Sequence, residues 1–186
     1  MAATPHLGSH RMFDVRPATE TDVPAIAAIG RKTFTEAFAH TMTALDLETY
    51  LDETYTVQHI LKTLRDANQT VTVATISGTP PKLAGFTTLR RGSSDPCIVG
   101  YPKPIELLRL YVDSLFHGSG VAKLLMNEAM GIAKKDGYQT IWLGVYEHNE
   151  RAKQFYSKFG YRQVGTHDFV TGKTISTDWI MVRPLV

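Results

Sequence analysis

Two glycines spaced by one residue, Gly118 and Gly120, sit between an apolar run and a helix-periodic segment, and that arrangement can bind phosphate. Glycine lets the main chain turn tightly and leaves its N–H groups uncovered. At the start of a helix those groups converge on an anion without needing a cationic side chain. The stretch His117-Gly118-Ser119-Gly120-Val121-Ala122 matches neither common nucleotide loop: no Gly-Lys-Ser/Thr follows, and Lys123 stands where a dinucleotide fingerprint has its third glycine. By spacing alone it reads equally well as an ordinary strand-to-helix turn. Cys97 is the single cysteine, which excludes a disulfide framework and a cysteine-built metal site. It follows Asp95-Pro96 with no recognisable partner, so the expectation is an inert thiol. The seven histidines fall at no metal-ligand spacing, and no metal is expected.

The elements that must position the loop are legible on both sides of it. Leu107, Leu108, Leu110, Tyr111 and Val112 form one short apolar run that predicts a strand. Val121, Leu124, Leu125, Ala129 and Ile132 recur at 3.6-residue spacing and predict an amphipathic helix, with Gly137 at its end. Upstream, Phe13 to Pro17 reads as a strand, and Thr21 or Asp22 caps a helix that carries Pro24 in its first turn. Thr43-x-x-Asp46 predicts a capping box for a second helix, and Thr56 caps a third. Thr70 to Ile76 and Leu83 to Arg91 read as an antiparallel pair around a Ser77–Pro81 turn, with Gly85 marking a bulge and residues 92–104 forming a surface connection. Downstream come a strand from Gln139 to Tyr146, a helix from Asn149 to Phe159 stopped by Gly160, and a closing hairpin of Tyr161–Val170 with Ile175–Val182. A strand–helix–strand crossover is right-handed and makes its two strands parallel. The fold class is therefore α/β with a mixed sheet, in one domain over residues 12–186, with residues 1–11 as a tail.

The bulk numbers agree. A chain of 186 residues, 43% hydrophobic and 20% charged, suits one globular domain with a real core. A net charge of +2 gives no global attraction for nucleic acid or anionic membrane. No run of 18 apolar residues occurs and the first ten residues lack the apolar core of a signal peptide, so a cytoplasmic protein with no membrane partner is expected.

Two blocks carry a family resemblance. His117-Gly118-Ser119-Gly120-Val121-Ala122, placed after Leu110-Tyr111-Val112, resembles the Gln/Arg-x-x-Gly-x-Gly/Ala signature of the GNAT superfamily of acyl-CoA-dependent N-acetyltransferases. About thirty residues on, Asn149, Ala152, Phe155-Tyr156 and Gly160-Tyr161 resemble that family's second block, Asn-x-x-Ala-x-x-Phe-Tyr-x-x-x-Gly-Phe/Tyr. The resemblance covers Ile105 to Tyr161. It implies a central mixed sheet of about seven strands, splayed between the fourth and fifth, with four or five flanking helices. It also implies acetyl-CoA as co-substrate, its pyrophosphate on the main chain from His117 to Ala122. Leu110, Tyr111 and Val112 then face the thioester, with the Val112 N–H as oxyanion donor, and Asn149, Ala152 and Phe155 hold the pantetheine. Tyr156 is implied as the acid for the departing thiolate and Glu106 as the base, directly or through water. Taken alone, Tyr156 is a core tyrosine on an apolar helix stripe, Glu106 an edge-strand carboxylate, and Asn149 a good helix N-cap. Arg151 and Lys153 read either as ligands of the coenzyme phosphates or, the favoured account, as solvated surface charge. His117 departs from the signature, since Gln or Arg usually stands there and a neutral imidazole brings no permanent charge.

Within the superfamily the chain is most similar to bacterial-type polyamine and small-amine acetyltransferases, through Thr33–Phe38, Tyr50–Glu53 and the Val164–Phe169 and Thr177–Met181 segments. That implies a small primary amine as acceptor, met by Phe34, Glu36 and Phe38. Five carboxylates (Glu36, Asp46, Glu48, Asp52, Glu53) with no Lys or Arg between Thr33 and Leu61 either attract a polycation or form a solvent face. A protein or peptide acceptor and a non-catalytic acyl-CoA-binding module are the competing readings. Homodimers are common in the family, and no segment marks an interface.

Overall fold

The computed structural model describes residues 12–78 and 82–185. The expected tail at residues 1–11, and Thr79-Pro80-Pro81 of the expected turn, lie outside the described residues. In chain order the elements are β1 (Phe13–Pro17), α1 (Val23–Phe38), α2 (Ala44–Thr54), α3 (Val57–Arg65), β2 (Gln69–Ile76), β3 (Lys82–Arg90), β4 (Pro104–Val112), α4 (Val121–Lys135), β5 (Thr140–Tyr146), α5 (Glu150–Lys158), β6 (Arg162–Thr171) and β7 (Thr174–Pro184). The strands form one sheet in the order β1-β2-β3-β4-β5-β7-β6, antiparallel except for the β4–β5 pair. This is the mixed α/β fold expected from the strand–helix–strand unit around the glycine loop.

The sheet opens in its middle. Strands β4 and β5 pair only through Pro104/Thr140, Ile105/Ile141 and Glu106/Trp142, after which they part. Each half remains tied on its outer side. Residues Gly85–Thr88 continue to pair with Arg109–Val112, and β5 stays paired with β7 as far as Tyr146/Asp178. The register of β3 against β4 slips so that Leu108 has no partner, and an extra residue of that kind bends its strand. Gly85 lies at the next close approach, where a Cβ would sit 2.5 Å from the Tyr111 carbonyl oxygen, so only glycine lets β4 come that near. The irregularity expected at Gly85 lies beside it, between Ala74 and Thr75 of β2.

Helices cover both faces. On one, Val121, Leu125, Met126, Ala129 and Ala133 of α4 pack on the sheet, and Phe155 of α5 joins the same side. On the other, Val23, Ile26 and Phe34 of α1, Leu51 of α2 and Ile60 of α3 pack on Val71, Val73 and Phe86. Two local expectations need correction. Asp22 does not cap α1 with its side chain; its carboxylate bonds Arg16 and Thr19 and closes a short 3-10 turn ahead of the helix. In the Thr43/Asp46 pair the Thr43 hydroxyl accepts the Asp46 N–H at 3.1 Å, but the Asp46 carboxylate does not return a bond to the Thr43 N–H. It accepts the Thr174 hydroxyl at 2.9 Å, tying α2 to the β6–β7 turn. The connection at residues 92–104 is also more than a surface loop: Ile98 is buried against Trp142, Ile180 and Val182, on a part of the sheet face that no helix covers. Among the described residues no helix is long and apolar enough to cross a membrane.

Candidate active site

The gap between β4 and β5 opens into a cavity of about 430 Å³. Leu110 and Val112 form its β4 wall and Tyr146 its β5 wall, while Ala152, Phe155 and Tyr156 of α5 close one side and Thr33 and Glu36 of α1, with His40 just beyond that helix, the other. The polarity of the β4 edge follows from one hydrogen bond. The Asp113 N–H donates to the Ala84 carbonyl on β3 at 2.9 Å. Alternation along an extended strand then turns the N–H groups of Val112 and Leu110 away from β3, toward the side that β5 has left. Each is a main-chain donor with no strand partner there.

The loop supplies a second set. Gly118 and Gly120 have φ of +80° and +91°, the left-handed region that favours glycine, and space beyond both is open. Helices α2, α3 and α5 are capped by the side chains of Thr43, Thr56 and Asn149, whereas α4 begins on Gly120, which has none. The first N–H groups of α4 therefore keep their hydrogen-bonding capacity for a ligand, and the helix dipole favours an anionic one. The Ser119 hydroxyl is spent on the Phe116 carbonyl at 2.6 Å, and Val121 is fully buried, so both contribute through the main chain alone.

His117 reaches from the loop to the β4 edge. Its Nε2 lies 3.1 Å from the Val112 carbonyl and its Nδ1 2.9 Å from Nη1 of Arg151. A guanidinium only donates, so Nδ1 accepts and the proton sits on Nε2, which donates to the carbonyl. Arg151, for which solvated surface charge was the favoured reading, lines the cavity and holds His117. Lys153 is neither a phosphate ligand nor solvated. It is 7% exposed, donates to the Glu147 carbonyl and to Glu150, and lies 4.0 Å from the Trp179 ring centroid.

Tyr156 projects into the cavity, and its hydroxyl makes no hydrogen bond with the described residues. Burial pushes it well above the ordinary phenol value, so it holds its proton at neutral pH. Asn149 caps α5, its side-chain oxygen accepting the Ala152 N–H at 3.1 Å, which leaves its amide NH₂ toward the cavity it lines. Tyr111, unlike its two neighbours, sends its side chain to the opposite face, with its hydroxyl 2.8 Å from that of Tyr55.

The residues expected at the acceptor divide. Glu36 reaches the cavity rim and accepts the Ser114 hydroxyl at 3.2 Å. Phe34 is 3% exposed and stacks on Tyr50 with centroids 4.2 Å apart, a core position; Phe38 stands behind Tyr146 at 5.7 Å. The acidic run is dispersed rather than pooled, since Asp52 pairs with Arg31 at 2.8 Å and Asp46 with the hairpin. Glu106 is 6% exposed, accepts Arg90 Nε at 2.7 Å, and lies beside Trp142 at the closed end of the parallel pair, off the wall of the 430 Å³ cavity. Register and alternation put Trp142, Gly144, Tyr146 and Asp178 on the same sheet face as Glu106. Asp178 is a second carboxylate there that sequence reasoning did not single out. Burial pushes it up to about 6, with Glu147 adding to the rise and His167 opposing it. Thr33 of α1 and His40, which lies just past the end of that helix, line the cavity and were also missed.

Comparisons with known proteins agree with this geometry. The acetyltransferase (GNAT) family profile matches residues 31–161. An uncharacterized N-acetyltransferase of Mycobacterium tuberculosis is 30% identical over 166 residues, 89% of this chain and 99% of that protein. Among solved structures, an N-acetyltransferase from Staphylococcus aureus superposes with a TM-score of 0.71 at 22% identity, covering 94% of this chain and 99% of that one. The PaiA N-acetyltransferase of Thermoplasma acidophilum, solved in complex with coenzyme A, superposes at 0.69 and 22% identity, covering 92% and 98%.

Proposed function

The chain belongs to the acetyltransferase (GNAT) family, and from that premise we propose that it moves an acetyl group from acetyl-CoA directly to the primary amine of a small molecule. The observation that carries the reading is the conjunction at the splay: an uncapped α4 N-terminus, an unpaired β4 edge and an unbonded, protonated Tyr156 hydroxyl around one cavity. That the Thermoplasma relative holds coenzyme A supports the choice of donor.

In this reading the N–H groups of Gly118, Gly120, Val121 and Ala122 take the pyrophosphate, and Asn149, Ala152 and Phe155 flank the pantetheine arm. The Val112 N–H meets the thioester oxygen as the amine attacks. One preorganised donor of that kind is worth roughly two to three orders of magnitude in rate. The carbon–nitrogen bond forms, the carbon–sulfur bond breaks, and Tyr156 protonates the leaving sulfur. The ammonium of the acceptor must first lose a proton. Glu106 serves as base through water, since it lies off the cavity wall and one of its oxygens is held by Arg90. Asp178 is the second reading, favoured by its raised proton affinity. Thiol release from acetyl-CoA against polyamines, amino sugars, amino acids and peptides tests the function. Tight coenzyme binding by calorimetry with no release on any amine would replace the enzyme with a binding module. E106Q and D178N, compared by their pH–rate profiles, separate the two bases.

A further inference from the structure

A second cavity, about 420 Å³, lies between α2, α3 and the β2–β4 strands, and no part of the mechanism above uses it. Its wall is cationic: Lys62 of α3, Arg90 of β3 and Arg109 of β4, with His59 beside them. Arg90 is neutralised by Glu106, and the single carboxylate on the wall, Asp66, is occupied by the Asn68 N–H and the Gln69 amide. Arg109 has no carboxylate partner among the described residues. Its guanidinium stacks 5.4 Å from the Tyr55 ring centroid, enclosed by Tyr50, Tyr55 and Tyr111. The half-buried guanidinium donates to the Tyr55 hydroxyl and keeps further N–H donors that an anion can complete. The local field agrees with this, since His59 is pushed below its ordinary value by burial first and then by Arg109 and Lys62.

We propose that this cavity takes a carboxylate of the acceptor, with Arg109 as its specificity-determining ligand and Lys62 at the rim. The inference rests on the proposed acetylation of a small amine and narrows it to amines that carry an acid group. Strand β4 joins the two sites: Leu108 and Arg109 wall the second cavity, Leu110 and Val112 the first. Arg109 faces the side of Tyr111, opposite to Leu110 and Val112, and the first cavity reaches that side at Thr33 and Glu36 of α1. Along the strand Arg109 and Val112 are roughly 10 Å apart at about 3.3 Å per residue. Glu36 stands at the rim of the first cavity and Arg109 in the second, a polarity that matches ammonium at one end and carboxylate at the other.

Matched acceptors test it: free amino acids and dipeptides against their carboxamides, by thiol release with acetyl-CoA. The free acids are expected to show kcat/KM roughly 10- to 100-fold above the amides, the range of a charge-assisted pair. R109Q abolishes that ratio through KM, with kcat and the KM for acetyl-CoA nearly kept. K62Q, on an exposed residue that leaves folding intact, lowers the ratio several-fold. Equal use of acids and amides by the wild type overturns the proposal, as does a uniform slowing of both by K62Q. If no amine of either kind is turned over, it is the acetyltransfer reading that fails, and calorimetric titration of the same pairs without acetyl-CoA still decides. A preference for the free acid that K62Q reduces upholds the anion site, and equal binding overturns it.

Discussion

The two cavities share one strand and are built from different material. The first is made of main chain: Gly118 and Gly120, the uncapped start of α4 and the edge of β4 offer N–H groups whose positions depend on backbone angles. The second is made of long side chains that arrive from α2, α3, β3 and β4 and meet only in the folded protein. Main-chain donors bind whatever carries the right oxygens at the right spacing, so a site of that kind suits a carrier molecule used unchanged by many relatives. A wall of convergent cations can be altered one side chain at a time, which suits the half of the reaction where specificity resides.

The comparison breaks most visibly at Tyr156. Y156F removes a cavity hydroxyl that has no partner among the described residues, and turnover is expected to fall about 10²- to 10⁴-fold while the calorimetric affinity for acetyl-CoA stays within about twofold. Unchanged turnover would remove Tyr156 as the acid. A smaller effect follows from G120V. At φ +91° a β-branched side chain costs about 1–3 kcal/mol of strain, although the space beyond is open. The helix start shifts to relieve it, and the KM for acetyl-CoA is expected to rise about tenfold with a lowered melting temperature. The acid-over-amide preference among acceptors should not move. A G120V protein that lost that preference while keeping acetyl-CoA affinity would show that the two sites are not built separately.

How much of this was legible in the sequence follows the same division. Gly118, Gly120, Asn149 and Tyr156 act within a few residues of their own helix ends, so two short blocks carry the family resemblance that pointed to the first cavity, where spacing alone left an ordinary turn equally open. The β4–β5 crossover was legible for the same reason. Arg109 reads in the sequence as one more strand cation, because its lack of a carboxylate partner is a property of α2 and α3 packing over it. Glu106 was found but its ion pair was not, since Arg90 reaches it only through the register that the Leu108 bulge sets. Asp46 completes no capping box because a hairpin more than a hundred residues away competes for its carboxylate. Phe34 was expected at the acceptor, yet aromatic stacking with Tyr50 draws it into the core.

The smallest expected effect concerns protons, and it separates Asp178 beside the splay from Asp22 at the far edge of the sheet. Arg16 hydrogen-bonds Asp22 and holds it down to about 2, so its contribution to stability is present above about pH 4 and is lost as pH falls toward 2. Asp178 behaves oppositely. Burial pushes it up to about 6, so between about pH 4 and 6 the native state keeps a proton that the unfolded chain has released. Stability supplied by that proton is full below about pH 4 and drains away as pH rises through 6. D178N should therefore flatten the melting temperature between pH 4 and 7 relative to the wild type, by a few degrees, given about 2–4 °C per kcal/mol for a chain of this size. If Asp178 also takes the proton of the acceptor amine, the acid limb of kcat/KM moves with it and D178N removes that limb. Parallel melting curves for the two proteins across that window would mean that the Asp178 carboxyl is as well solvated as any on the surface, and its candidacy as base would end there.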